Sequence, residues 1–213
     1  LVALSGFIGA SIVSGSLIWL TQSNRWTTHT ILLVGIALNL FCASLLSVIL
    51  FIANEKASTI ILWLMGNLGQ SDWSQLVLMS VLIAIGSLLL FPQARQLDLH
   101  LLGEDTAMAL GARTQKYRSQ TILAVALLVS ASVCFCGAIG FVGLIVPHAV
   151  RLLLGPKHVA LMCIAPIVGA IFLILCDTAA RTVLLPTEMP VGIVTGLIGG
   201  PIFIMLLFRE QQT

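Results

Sequence analysis

Long apolar runs separated by short polar breaks divide this chain. A helix rises about 1.5 Å per residue, so about 20 apolar residues cross a bilayer core. The runs 1–20, 31–53, 73–91, 120–139, 159–175 and 190–208 meet or approach that length. The first break, 21–30, carries Arg25; Asn54, Glu55 and Lys56 close the second run, and Pro92 closes the third. Stretch 57–72 is less regular. Its apolar part, 60–65, is too short to cross, and Gly66-Asn67-Leu68-Gly69-Gln70 follows. A short interfacial helix is expected there, with Trp63 and Trp73 at headgroup depth. Segment 141–154 is apolar but short, and Pro147 and His148 interrupt it, which predicts a short, buried or partly re-entrant helix. Gly155-Pro156-Lys157-His158 reads as a turn and 183–189 as a loop.

The longest polar stretch is 92–118. Leu99, Leu102, Ala107, Met108 and Leu110 give it an apolar side, and Gly103 and Gly111 can each end a short helix. Two short helices at the membrane surface fit that pattern. A loop that merely connects needs no buried leucines, so the apolar side makes this stretch a candidate for a partner's grip.

Small residues recur in helical register. Gly6, Ala10 and Ser14 are spaced by four, as are Gly192, Gly196 and Gly200 in the last run. Such faces let another helix approach closely. Asn39 lies inside the second run, where an amide usually bonds another helix; substrate contact is the alternative. Asn39, Gly192, Gly196 and Gly200 are therefore candidates for helix packing or a translocation path.

Composition agrees with the pattern. Of 213 residues 59% are hydrophobic and 8% charged, against about 25% charged in a soluble domain. Mean hydropathy is +1.11. So few charges cannot cover a soluble surface, so the chain reads as an all-α, polytopic helical membrane protein, 1–213 forming one transmembrane domain. Barrel strands would alternate over about ten residues, and these runs are longer and continuous. A net charge of +2 makes no case for nucleic acid. Cys42, Cys134, Cys136, Cys163 and Cys176 all lie in apolar runs and read as small buried side chains, not disulfides or metal ligands. The opening LVALSGFIG has no methionine and no charged flank, as expected of a fragment beginning within a span.

The basic residues set orientation. If loops alternate sides and 141–154 crosses, one side receives Arg25, Arg95, Arg113, Lys116, Arg118, Arg151, Lys157 and Arg209, and the other Lys56 and Arg181. The first side is then cytoplasmic, as is the C-terminus. Without that crossing the bias would shrink to six against four. Stretch 92–118 is cytoplasmic on either count, while Asp177, Arg181, Glu188 and the 54–72 region face outside if 141–154 crosses.

Candidate chemistry is sparse. The sequence carries no nucleotide-binding P-loop, no HExxH and no arrangement resembling a catalytic triad. His148 reads as a hydrogen-bonded packing residue, since His29, His100 and His158 fall in loops. An intramembrane metalloenzyme built on His148 lacks further ligands. Asp177 and Arg181, one helical turn apart, can form a local ion pair or offer an external docking charge.

Three stretches resemble the FecCD-type permeases, the membrane subunits of ABC importers for iron–siderophore complexes, haem and cobalamin. They are LLGEDTAMALGAR (101–113), GAIGFVGLIVPHAVRLLLGPKH (137–158), and DTAAR (177–181) followed by EMPVGIVTGLIGGPIFIMLL (188–207). Their order and spacing agree over nearly the whole chain. The resemblance implies about ten spans per permease, two permeases and two ATPases per transporter, with this chain supplying about the last seven spans. It implies that 93–118 is a cytoplasmic coupling loop. Within it, Leu101, Gly103, Ala107, Leu110 and Gly111 match the coupling helices that sit in a cleft of the ATPase subunit. It also implies that Arg181 meets an acidic residue of an extracytoplasmic substrate-binding protein.

The expected function is thus an ATP-driven import permease in a bacterial cytoplasmic (inner) membrane. It works by alternating access beside a second permease subunit, identical or paralogous, and itself is no enzyme. It binds no cofactor; ATP with magnesium belongs to the partner ATPase. An iron–siderophore complex is the first substrate expected, with haem or cobalamin as alternatives. An ion-coupled secondary transporter is the rival class. It usually needs titratable groups deep in the membrane, where only Asn39 and His148 are polar candidates.

Overall fold

The computed structural model describes residues 6, 8–13, 15–16, 28–69, 72–101, 106, 109 and 114–210. Helix α1 covers Thr28–Ala53 and runs through a 3-10 turn, Asn54–Lys56, into the short α2, Ala57–Leu64. Helix α3 is Trp73–Leu90, followed by a 3-10 turn, Phe91–Gln93, and by α4, Ala94–His100. Helices α5 (Thr114–Cys136), α6 (Val142–Leu154), α7 (His158–Thr182) and α8 (Val191–Glu210) complete the described elements. Among the described residues there is no strand. Among the described residues three helical stretches, Leu32–Ala53, Trp73–Leu99 and His158–Thr182, are long and apolar enough to cross a membrane; Gln120–Cys136, Val142–Leu154 and Val191–Leu206 are shorter apolar helices. The 1–20 run falls largely outside the described residues, but positions 6, 8–13 and 15–16 are helical.

Small residues set how these helices meet. Helix α3 packs on α5. There Ala124 is fully buried, and a Cβ added at Gly86 would stand 2.7 Å from Leu128 Cγ. Helix α6 lies against both α7 and α8. It buries Ile145, Val146 and Val150, while Gly169 of α7 takes Val146 at ordinary contact distance. A second core gathers Cys176, Ala180, Val191 and Val194, with Leu68, Ile139, Phe172, Ala179 and Met189 packed around it. Most other large apolar side chains, such as Phe51 and Leu153, are exposed. In lipid that exposure costs nothing, so the buried set can be small and made of small residues.

Five serine hydroxyls in the spans are satisfied within their own helices. Ser44, Ser47, Ser80, Ser130 and Ser132 each donate to the carbonyl four residues earlier, at 2.6–2.9 Å. Such back-bonding keeps these hydroxyls from facing hydrocarbon unpaired.

Several local expectations change. Pro92 does not end the helical path; it starts the 3-10 turn that redirects the chain into α4. Its ring fixes φ and needs no amide partner at a first-turn position, so a change of direction is cheap there. Pro147 does not interrupt 142–154, which is one helix. A lost amide bond is outweighed by the buried Ile145, Val146 and Val150 around it. His29, His100 and His158 are helical, not loop residues, and α7 begins at His158 itself. Of the cysteines, Cys134 and Cys176 are buried and Cys136 half-buried, but Cys42 and Cys163 are exposed, because they sit on faces that no described helix covers.

Candidate functional site

Helix α7 carries a polar cluster at each end. Its first residue is His158, and Asp177 and Arg181 lie in its last two turns. Twenty-five residues at about 1.5 Å each separate the ends by about 37 Å, more than a bilayer core.

At the C-terminal end Arg181 forms a two-point ion pair. Its Nε donates to Asp177 Oδ2 at 2.8 Å and its second nitrogen to Oδ1 at 3.2 Å. Spacing of four on one helix face brings the two together. A cavity of about 260 Å³ opens beside the pair, lined by Leu62, Asn67, Asp177, Arg181, Glu188 and Met189 among others. Two carboxylates therefore face one guanidinium, and Arg181 keeps 40% of its side chain exposed. Gly69 allows the guanidinium its place: a Cβ there would lie 2.9 Å from an Arg181 nitrogen. Asn67 holds that turn by accepting the Gly69 amide at 2.7 Å.

Below the cavity three glycines let three backbones meet. The Gly192 amide donates to Met65 O at 3.1 Å, and the Asn67 amide to Cys136 O at 3.0 Å. Gly66 and Gly137 both hold positive φ, +81° and +74°. Any Cβ on Gly192 would overlap Met65 O, and one on Gly137 would overlap Trp63 O. The turn after α2, the end of α5 and the start of α8 are thereby bonded through main chain, where no side chain fits.

At the N-terminal end, Asp98 of α4 reaches His158. Its Oδ1 accepts the His158 backbone amide at 2.6 Å and ring Nδ1 at 2.9 Å. An ionised carboxylate only accepts, so Nδ1 carries the ring proton. Nearby, the buried Gln93 donates through Nε2 to Gln120 Oε1 at 3.1 Å, joining the turn before α4 to α5.

Arg181 is beside Asp177 and the cavity. Leu101 directly follows α4 and is exposed. Gly103, Ala107, Leu110 and Gly111 lie outside the described residues; Thr106 and Ala109, between them, are helical and exposed. Asn39 is exposed on α1, and His148 is half-buried on α6. Among the described residues no group of three or more His, Cys, Asp or Glu is placed to hold a metal ion. On α8 the close approaches occur at Gly192 and Gly199; a Cβ on Gly199 would stand 2.6 Å from Phe141 Cβ. Gly196 has nothing within 4 Å, and Gly200 meets only the edge of the Phe141 ring.

Sequence reasoning passed over Asp98, Gln93, Asn67 and Gly199. Asp98 and His158 are 60 positions apart, so no local pattern pairs them. Gly199 was legible only as one member of the Gly199-Gly200 pair, and which of the two meets a neighbour depends on helix rotation.

The FecCD transport family profile matches residues 1–209. The hemin transport system permease protein HmuU of Yersinia pestis is 38% identical over 210 residues, covering 98% of this chain and 63% of that protein. The cobalamin import system permease protein BtuC of Halobacterium salinarum is 37% identical over 209 residues, covering 98% and 56%. A solved structure described as an inward-facing conformation of a metal-chelate type ABC transporter superposes with a TM-score of 0.84 at 31% identity, covering 98% of this chain and 71% of that one. The chain thus spans 56–63% of the length of these two relatives. With a profile match from its first residue to position 209, and a fold shared at that TM-score, the chain belongs to the FecCD transport family.

Proposed function

We propose that this chain forms part of the permease of an ABC importer and carries a metal chelate through a bacterial cytoplasmic membrane by alternating access. The observation that carries the reading is the likeness over 98% of the chain to a metal-chelate type transporter, together with an α7 long and apolar enough to cross a bilayer between its two polar clusters. The Arg181 end faces outward and docks a substrate-binding protein. The α4 end faces the cytoplasm, where segment 101–113 engages a separate ATPase, which binds ATP and magnesium and performs the hydrolysis. A second permease copy or paralogue completes the passage. The C-terminus is placed in the cytoplasm, a reading supported by the eight-to-two division of basic residues that a crossing by 141–154 gives.

Among chelates, an iron–siderophore complex is the first candidate. Haem is the second reading, favoured by the 38% identity to a hemin permease, and cobalamin the third. The experiment is parallel uptake of labelled iron–siderophore, haem and cobalamin by the intact transporter in vesicles. ATP-dependent accumulation of one of them identifies the substrate. Accumulation without ATP, driven by an ion gradient, would overturn the ABC reading.

A further inference from the structure

We infer that Asp98 and His158 are positioning residues, a latch that makes the base of segment 101–113 and the N-terminus of α7 move as one body. The inference rests on the reading of 101–113 as the ATPase-coupling segment and adds how its movement enters the spans.

Helix α4 has seven residues, too few to be stable alone, so its placement comes from what holds it. Asp98 is one turn before Leu101, where the coupling segment begins. Its Oδ1 takes both the backbone amide and the ring Nδ1–H of His158. Helix α7 has Lys157 at its N-cap position, which makes no side-chain capping bond. Asp98 therefore does the capping from another helix, satisfying one of the amides that a helix start leaves bare, at the positive end of the helix dipole. The pair is largely shielded, with 28% of the Asp98 side chain and 18% of the His158 side chain exposed. Charge-assisted bonds in a shielded place hold geometry better than exposed ones. Gln93 fastens the other end of the same short unit to α5 through Gln120. The base of 101–113 is thus tied to two long helices, and one of them, α7, ends at Arg181 and the cavity. A pull at the base is transmitted along α7 rather than absorbed in a loose loop.

The test uses the complete transporter, with its ATPase and binding protein, in proteoliposomes. It measures ATPase co-purification and chelate transported per ATP hydrolysed. Asp98→Ala is expected to retain the ATPase while transport per ATP falls on the order of tenfold, within the usual range of one coupling interaction. Asp98→Asn is expected to restore most of that ratio, because its carboxamide oxygen still accepts the His158 amide. His158→Ala, which keeps the backbone cap and loses the ring bond, is expected to fall between them. Wild-type transport per ATP in Asp98→Ala would overturn the latch, as would an Asn variant no better than Ala. If Asp98→Ala fails to assemble, His158→Ala decides: an unchanged ratio overturns the inference. Gly103→Trp in parallel tests the underlying reading. ATPase retained by that variant removes the coupling assignment, whereas ATPase lost by it with an unchanged ratio in Asp98→Ala removes the latch alone.

Discussion

The Gly192 amide donates to Met65 O at 3.1 Å, with no room for a Cβ between the two backbones. Four residues on, Gly196 has nothing within 4 Å. The two glycines share a sequence pattern but have different surroundings, so their substitutions should part. Gly192→Ala must push α8 away from the turn after α2, and overpacking of this kind costs about 1–3 kcal/mol. Gly196→Ala adds a methyl to open space on a helix and should raise helix propensity by up to about 1 kcal/mol. Thermal unfolding of the detergent-solubilised protein checks the pair: a lower midpoint for the first, an equal or higher one for the second.

Gly137 combines a left-handed φ of +74° with the approach of Trp63 O. Alanine there meets both penalties, about 1–2 kcal/mol for the backbone and more for the collision. Gly155 stands at φ +84° and ψ −176°, a region open to glycine alone, but nothing lies within 4 Å of its would-be Cβ, so Gly155→Ala should carry only the backbone share. Unfolding midpoints should rank Gly155→Ala above Gly137→Ala.

Arg181 shares its cavity with two carboxylates, Asp177 and Glu188. If it docks an acidic group of the binding protein, Asp177 competes for the same nitrogens. Arg181→Glu should weaken docking, while Asp177→Asn should strengthen it severalfold by freeing the guanidinium. Both effects should grow as salt falls from about 0.1 M to 0.01 M, since the screening length rises from about 10 to 30 Å. Titration of the binding protein onto nanodisc-embedded transporter measures this. Unchanged or tighter docking by Arg181→Glu would return Arg181 to its local pairing with Asp177.

Bulky replacement of Gly103 and Gly111 should abolish ATPase binding with membrane insertion intact. Undiminished co-purification of the ATPase with the double tryptophan variant would remove 101–113 from the interface.

Phe141 stands at φ +66°, a conformation that costs a non-glycine residue about 1–2 kcal/mol, and its Cβ and ring lie over Gly199. Gly199→Leu should displace the ring and loosen α6 from α8. Phe141→Gly relieves the backbone but empties the contact, so it should recover little. Proteolysis within 137–141 of the membrane-embedded protein should speed up in both variants.

Hydropathy alone determined that this is a helical membrane protein and roughly where its helices run, because about 20 apolar residues have one stable arrangement in a bilayer. The pairing of Asp177 with Arg181 was legible too, since a spacing of four sets it within one helix. Asp98 and His158 were not, because their partnership exists only once α4 is laid against α7. The glycine contacts divide likewise. A small-residue stripe says that a close approach is possible, but helix rotation and the path of the turns decide that Gly192 meets Met65, Gly199 meets Phe141 and Gly196 meets nothing. In lipid the apolar pattern marks a helix as spanning without marking which face is buried. That choice is made by close packing and main-chain hydrogen bonds, which belong to the tertiary structure.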